Sequence, residues 1–353
     1  MRSEQSNRGL WGMPDSPEVK FVVSKILVAG GAGYVGSHTC MKLAEAGFLP
    51  VVVDNLSNGH REFVQWGPLE VADIRDGPAL ADVFERHKPA AVIHLAGLIE
   101  VGESMRDPQA FYDHNVAGSV TLLGAAQAAG VKTVVFSSTC ATYGSPVHLP
   151  ICEHHPQHPI NPYGRTKLIV ETVLADLDSY AGVRSVILRY FNAAGADLEG
   201  RIGERHQPET HAIPLALQTV LGLRGPFHIF GEDYDTPDGT AIRDYIHVSD
   251  LADAHVLALQ YLLSGGRSEA LNLGTGVGVS VRQLVETIET VTGTRLKTTS
   301  SPRRDGDAPV LVADNAKAKG ILGWSPRYGM NEIIASALAW HQAEAKRSGR
   351  SAA

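Results

Sequence analysis

Seven residues, Gly30-Gly31-Ala32-Gly33-Tyr34-Val35-Gly36, limit what this chain can fold into more than any other stretch. The apolar run 24–29 before them reads as a buried strand, and the pattern over 34–47 after them is helical. Gly30, Gly33 and Gly36 therefore sit where a strand turns into a helix. The first two permit a tight turn and close approach to the backbone, and the third lets helix and strand pack closely. A helix starting there aims its first N–H groups and the positive end of its dipole at whatever lies above the turn, which suits a pyrophosphate. Glycines also serve ordinary turns, so context decides. The next strand, 51–54, ends in Asp54, 24 residues after Gly30, near the spacing at which a carboxylate hydrogen-bonds a ribose 2′-hydroxyl. That carboxylate would repel a 2′-phosphate, and its neighbour Asn55 is not an arginine that would welcome one. The expected cofactor is NAD rather than NADP. Asp73-Ile74, and Ala96-Gly97 just after the run 90–95, are expected to cradle its adenine and nicotinamide halves.

The alternation continues along the chain. Runs 90–95, 133–138 and 185–191 read as further buried strands, and 79–86, 107–129 and 163–180 as helices. Repeated strand-helix-strand units call for an α/β fold with a doubly wound, mostly parallel Rossmann sheet covered on both faces. After Asn192 the rhythm breaks into Gly- and Pro-punctuated pieces such as 222–231 and 233–239, followed by helices over 249–263, 279–291 and 330–346. A smaller α/β substrate-binding domain is expected there, over the carboxyl ends of the strands, where open α/β sheets bind ligands. The expected division is 1–23 as an N-terminal extension, 24–192 as the NAD-binding domain and 193–353 as mainly substrate-binding, with 243–275 a candidate for return to the first domain.

Composition narrows the partners. A formal net charge of −7 without clustered Lys and Arg argues against a nucleic-acid surface. No stretch supplies the 18 or so apolar residues that span a bilayer, and 1–23 lacks the apolar run of a signal peptide. Cys40, Cys140 and Cys152 are too scattered for a disulfide framework and suit a reducing cytoplasm. An anionic substrate would need a few locally placed cations.

Tyr163 and Lys167 stand four residues apart, on one face of a helix beginning near Pro162. Bringing a phenol with an ordinary pKa of about 10 to neutrality takes about 4 kcal/mol. One cation about 5 Å away supplies about 3 kcal/mol at an effective dielectric of about 20. Lys167 would nearly suffice, and a positive nicotinamide ring would add the rest, so Tyr163 could act as a general base on a sugar hydroxyl. Thr139, at the end of the strand 133–138, could hydrogen-bond the same oxygen. Taken singly, such a spacing and such a Ser/Thr cluster are more often structural. In this order, after a dinucleotide turn and five strands, they read as catalytic.

Several stretches carry a resemblance: GGAGYVGSHTC at 30–40, VVDNLSNG at 52–59, AGLIEVGES at 96–104, NPYGRTK at 161–167, RYFNAAGA at 189–196 and DGTAIRDYIHVSDLA at 238–252. Over about 25–342 the chain resembles the extended short-chain dehydrogenase/reductase superfamily and, within it, the UDP-galactose 4-epimerases. The resemblance implies a UDP-sugar substrate and a redox-neutral cycle. Tyr163 takes the 4-hydroxyl proton while the 4-hydride moves to tightly held NAD, and hydride returns to the other face of a 4-keto sugar. It also implies a homodimer, with 107–129 and 163–180 at the interface. Tyr34, Val35, Asn55, Leu95, Asn115 and Tyr190 complete the expected cofactor set beside Tyr163 and Lys167. By matching positions, Asn192 and Arg243 should hold the diphosphate, Phe230 should pack near uracil, and Arg304 and Asp307 should grip phosphate and ribose; arginine's planar fork suits phosphate oxygens. Leu311 stands where similar epimerases have an aromatic wall or a small residue, according to whether 2-acetamido sugars are excluded or accepted. Two positions depart from the pattern: Ile99 replaces a lysine that often touches the cofactor, and His211 replaces an asparagine that commonly contacts the diphosphate.

A 4,6-dehydratase would need an acidic pair after Thr139, where Cys140 and Ala141 stand instead. A 4-epimerase of UDP-pentoses, UDP-glucuronate or UDP-N-acetylglucosamine could use the same core, and an inactive NAD-binding sensor is the alternative from another class. The loop Cys152-Glu153-His154-His155-Pro156-Gln157-His158 lacks regular metal-ligand spacing, and no metal is assigned.

Overall fold

The computed structural model describes residues 23–304 and 306–349; the extension expected at 1–23 lies outside them but for Val23. Six strands come first: β1 (Lys25–Ala29), β2 (Leu49–Asp54), β3 (Leu69–Val71), β4 (Ala91–His94), β5 (Thr133–Thr139) and β6 (Arg184–Tyr190). A seventh strand, Glu269–Leu273, pairs with β6. The sheet runs Glu269–Leu273, β6, β5, β4, β1, β2, β3, and every pair in it is parallel. Strand order reverses between β1 and β4, which opens a crevice at their carboxyl ends.

Both faces of the sheet are dry. Within β1, Ile26 and Val28 point into one core and Leu27 and Ala29 into another, the two-residue period of a strand covered on both sides. On the first face lie α1 (Tyr34–Glu45) and helix Val248–Leu263, which bring Cys40, Leu43, Leu251, Ala258 and Leu259. On the second, α2 (Gly77–His87) brings Leu80, Val83 and Phe84, and helix Gly118–Ala128 brings Leu122 and Ala126. Helix Pro162–Ala181 buries Val170 and Leu174 against Val134 and Phe136 of β5.

The remaining elements form a second lobe around Ile213, Leu217, Ile229, Leu284 and Ile334. Its sheet joins Ile242–His247 to Asn192–Ala194, Gly278–Ser280 and Val310–Leu311, while Phe227–Phe230 pairs with Thr298–Ser301. Of the stretch 243–275, the strand Ile242–His247 thus pairs in the second sheet, whereas Val248–Leu263 and Glu269–Leu273 pack with the first. The single helix expected over 107–129 is Pro108–Phe111, a π-type stretch Tyr112–Ala117 and Gly118–Ala128. No helix among the described residues is long and apolar enough to cross a membrane.

Candidate active site

A cavity of about 1160 Å³ lies over the carboxyl ends of the strands. At one end is the glycine turn, where Gly30, Gly33, Tyr34, Val35 and Gly36 line the wall. Gly30 has φ +82, and a Cβ on it would meet the Ala96 nitrogen at 2.6 Å; one on Gly36 would lie 2.0 Å from the Gly30 carbonyl oxygen. A Cβ on Gly33 would meet only that oxygen, at 3.4 Å, so this residue leaves its backbone open to a ligand. No side chain caps α1, and its first turn holds no acid. Its amides suit a pyrophosphate, and the turn fits a dinucleotide. Asp54 accepts hydrogen bonds from the amides of Ala32 at 3.0 Å and Leu56 at 2.9 Å, which ties the turn to β2. Burial pushes its carboxyl above the usual range.

Asn55 donates to Asp73 at 2.9 Å, and Arg75 beside Asp73 holds that carboxyl well below its usual range. Asn55, Asp73, Ile74, Leu95, Ala96 and Gly97 all line the cavity, as does the exposed Ile99. Asn115 does not. Its amide accepts from the Leu98 nitrogen at 2.8 Å and donates to the Leu98 oxygen at 3.0 Å and to Thr166 at 3.2 Å. These bonds brace the 96–98 loop, whose Ala96, Gly97 and Leu98 line the cavity, against helix Pro162–Ala181.

That helix starts where the sequence can cap it. Asn161 accepts from the Gly164 amide at 2.8 Å, Pro162 occupies the first turn, and Gly182 closes the other end in the left-handed conformation. Tyr163 and Thr139, both buried, line the cavity. Burial and then Tyr190 push the Tyr163 phenol up, against a hydrogen bond from Thr139 that lowers it. Thr139 accepts from the Ala141 amide at 3.1 Å, which leaves its hydroxyl proton for a partner.

Lys167 does not line the cavity either. Its ammonium donates to the Ser137 carbonyl at 2.9 Å, 5.0 Å from the Phe136 ring centre, and lies 3.7 Å from where a Gly97 Cβ would stand. It is one residue behind the wall, and burial lowers its pKa to about 8. Tyr190, on the wall, shares a hydrogen bond with the Ser137 hydroxyl.

The other end of the cavity is built by the second lobe. Asn192, His211, Phe230, Arg243, Arg304, Asp307 and Leu311 all line it. The Arg304 guanidinium lies over the Phe230 ring, 4.0 Å from its centre, and Arg243 stands 3.5 Å from Asp307. Leu311 pairs with Arg243 in the sheet and also packs on the cluster of Tyr143, Ile151 and Phe191. His211 reaches the cavity with its Nδ1 2.9 Å from Glu204 and 3.1 Å from Glu209.

Sequence reasoning missed two groups. Glu171 pairs with Arg189 at 2.7 Å, both buried, and also accepts from Ser138; partners 18 residues apart leave no periodic signal. Glu204, His206 and Glu209 gather around His211, and alternating acids and histidines in GERHQPETH would have flagged them. In the Cys152–His158 loop, His155 instead accepts from the Val147 amide at 2.9 Å.

The model of the NAD dependent epimerase/dehydratase family matches residues 26–274. The chain is 62% identical to a UDP-glucose 4-epimerase of Rhizobium leguminosarum bv. trifolii over 316 residues, 90% of this chain and 97% of that one. Among solved structures it is similar to the UDP-glucose 4-epimerase from Brucella ovis in complex with NAD, at 49% identity and a TM-score of 0.88, covering 90% of this chain and 98% of that one. The UDP-glucose-4-epimerase from Stenotrophomonas maltophila with bound NAD and formylated UDP-arabinopyranose matches at 42% identity and a TM-score of 0.89, covering 92% and 99%.

Proposed function

The chain belongs to the NAD dependent epimerase/dehydratase family, and from that membership we propose that it interconverts UDP-galactose and UDP-glucose through a 4-keto intermediate, using tightly bound NAD. The observation that carries this reading is one continuous cavity with a dinucleotide turn at one end, Arg243, Arg304 and Phe230 at the other, and Thr139 and Tyr163 on its wall. The first lobe holds the cofactor and the second the UDP-sugar, with Val248–Leu263 and Glu269–Leu273 packed as part of the first.

Bound NAD supplies a hydride acceptor and donor and, when oxidised, a positive charge. The residues do the rest. Thr139 donates to the sugar oxygen and holds it against Tyr163, which takes the 4-hydroxyl proton. Lys167, behind the wall, favours the phenolate through its charge, and its bond to Ser137 fixes where that charge sits. Arg243 and Arg304 hold the diphosphate, and Phe230 packs on the uracil face. Anchored there, the keto sugar has room to present its other face before Tyr163 returns the proton.

The enzyme is further read as a cytoplasmic homodimer in galactose metabolism; Val120, 47% exposed, and Tyr180, 89% exposed, lie on the two helices assigned to the interface. A related UDP-pentose reaction is the second reading, favoured by the arabinopyranose derivative in the Stenotrophomonas neighbour. Incubating the purified protein with UDP-galactose, UDP-xylose, UDP-glucuronate and UDP-N-acetylglucosamine, without added cofactor, distinguishes them. UDP-glucose from UDP-galactose is expected as the fastest product. Faster turnover of UDP-xylose, or activity only with added NADP, would reject the assignment.

A further inference from the structure

Residues 204–211 bring four metal-ligand side chains to one point, Glu204, His206, Glu209 and His211. One donor atom from each lies within 4.8 Å of all the others. Nδ1 of His211 is 2.9 Å from Glu204 and 3.1 Å from Glu209, and Nδ1 of His206 is 3.4 Å from Glu204 and 3.7 Å from Glu209. A tetrahedral zinc ion at about 2.0–2.1 Å from each of four such donors would set them about 3.3–3.5 Å apart. The observed separations straddle that edge length.

Two further observations point the same way. Both carboxylates are nearly inaccessible, at 4% and 7% exposure, so they need a positive partner. Nδ1 of His206 is buried and makes no hydrogen bond, although a carboxylate lies on either side of it. One divalent ion would neutralise both carboxylates and take up the His206 nitrogen.

We propose that Glu204, His206, Glu209 and His211 form a binding site for a divalent transition metal of the zinc class. Imidazole as half of the donor set disfavours magnesium and calcium, which take oxygen ligands. Four protein donors close the tetrahedron, so the ion is structural rather than a Lewis acid for the sugar. It would tie together three walls. The His206 ring meets Tyr34 of the glycine turn edge-on, with centres 6.3 Å apart. His211 precedes helix Ala212–Val220, and the Glu204 carbonyl accepts from Trp340 of helix Met330–Arg347 at 2.9 Å.

The test uses the full chain, without an affinity tag and with its dinucleotide bound, incubated with Zn²⁺ and desalted. Mass spectrometry of the metal should find one equivalent per chain, and Co²⁺ in its place should give the visible spectrum of a tetrahedral ion. His206→Gln and Glu209→Gln should each lose the metal while still releasing dinucleotide on denaturation, which shows that they fold. Independently of any variant, Zn²⁺ should raise the thermal midpoint of the wild-type protein, and chelator should reverse the rise. Substoichiometric zinc in the wild type, equal retention by both variants, or a midpoint indifferent to zinc and chelator would each overturn the proposal.

Discussion

Tyr163 carries a steep electrostatic demand, because its burial pushes the phenol up while proton abstraction near neutrality requires the opposite. Thr139 lowers it, and the remaining help is assigned to the charge of Lys167 behind Gly97 and to the positive ring of oxidised NAD. The phenol should therefore titrate near neutrality in the oxidised holoenzyme and substantially higher in the reduced one. Ultraviolet difference titration against Tyr163→Phe reads this, and equal values in both states would refute it. Tyr163→Phe itself should lower kcat by about 10²–10⁴-fold while leaving dinucleotide content intact. Leu311 makes a separate demand at this scale, since it both lines the cavity and packs on Tyr143 and Phe191. An apolar wall discriminates by roughly 10–200-fold. UDP-galactose should be preferred over UDP-N-acetylgalactosamine, with weak turnover of the latter that Leu311→Ser enhances and Leu311→Tyr abolishes. Unchanged activity ratios across the three proteins would show that Leu311 serves only the core.

Among the elements, helix Pro162–Ala181 shows what sequence makes legible and what it hides. Asn161, Pro162 and Gly182 mark its ends, and the four-residue spacing places Tyr163 and Lys167 on one face. The central strands were equally readable, because each is a short apolar run buried on both sides. Leu69–Val71 is three residues long and only partly buried, and Val310–Leu311 is shorter still, so neither displays a period. The bracing bonds of Asn115 leave no signal in the sequence, because its partners Leu98 and Thr166 are 17 and 51 residues away. The same holds for Glu171 and Arg189, whose buried pair braces this helix against β6. Glu171→Ala should cost about 3–5 kcal/mol by leaving the Arg189 charge unpaired, and Glu171→Leu combined with Arg189→Met should recover most of it. Denaturant midpoints measure both, and a single variant as stable as the wild type would mean that the pair does not brace the helix.

The whole molecule sets two ligand sites in one cavity by sending the chain across it more than once. Asn192–Ala194 leaves the first sheet for the second, and Val248–Leu263 and Glu269–Leu273 come back. In the proposed reading, cofactor and sugar face each other across walls from both lobes, and a hydride taken from the sugar has no need to leave. That is the central claim, and isotope labelling tests it most directly. UDP-galactose carrying deuterium at carbon 4, incubated with the purified protein in ordinary water and without added cofactor, should yield UDP-glucose that keeps the deuterium at carbon 4. Loss of that label to solvent would contradict the account, because it would mean that the hydrogen leaves as a proton rather than passing to bound NAD and back.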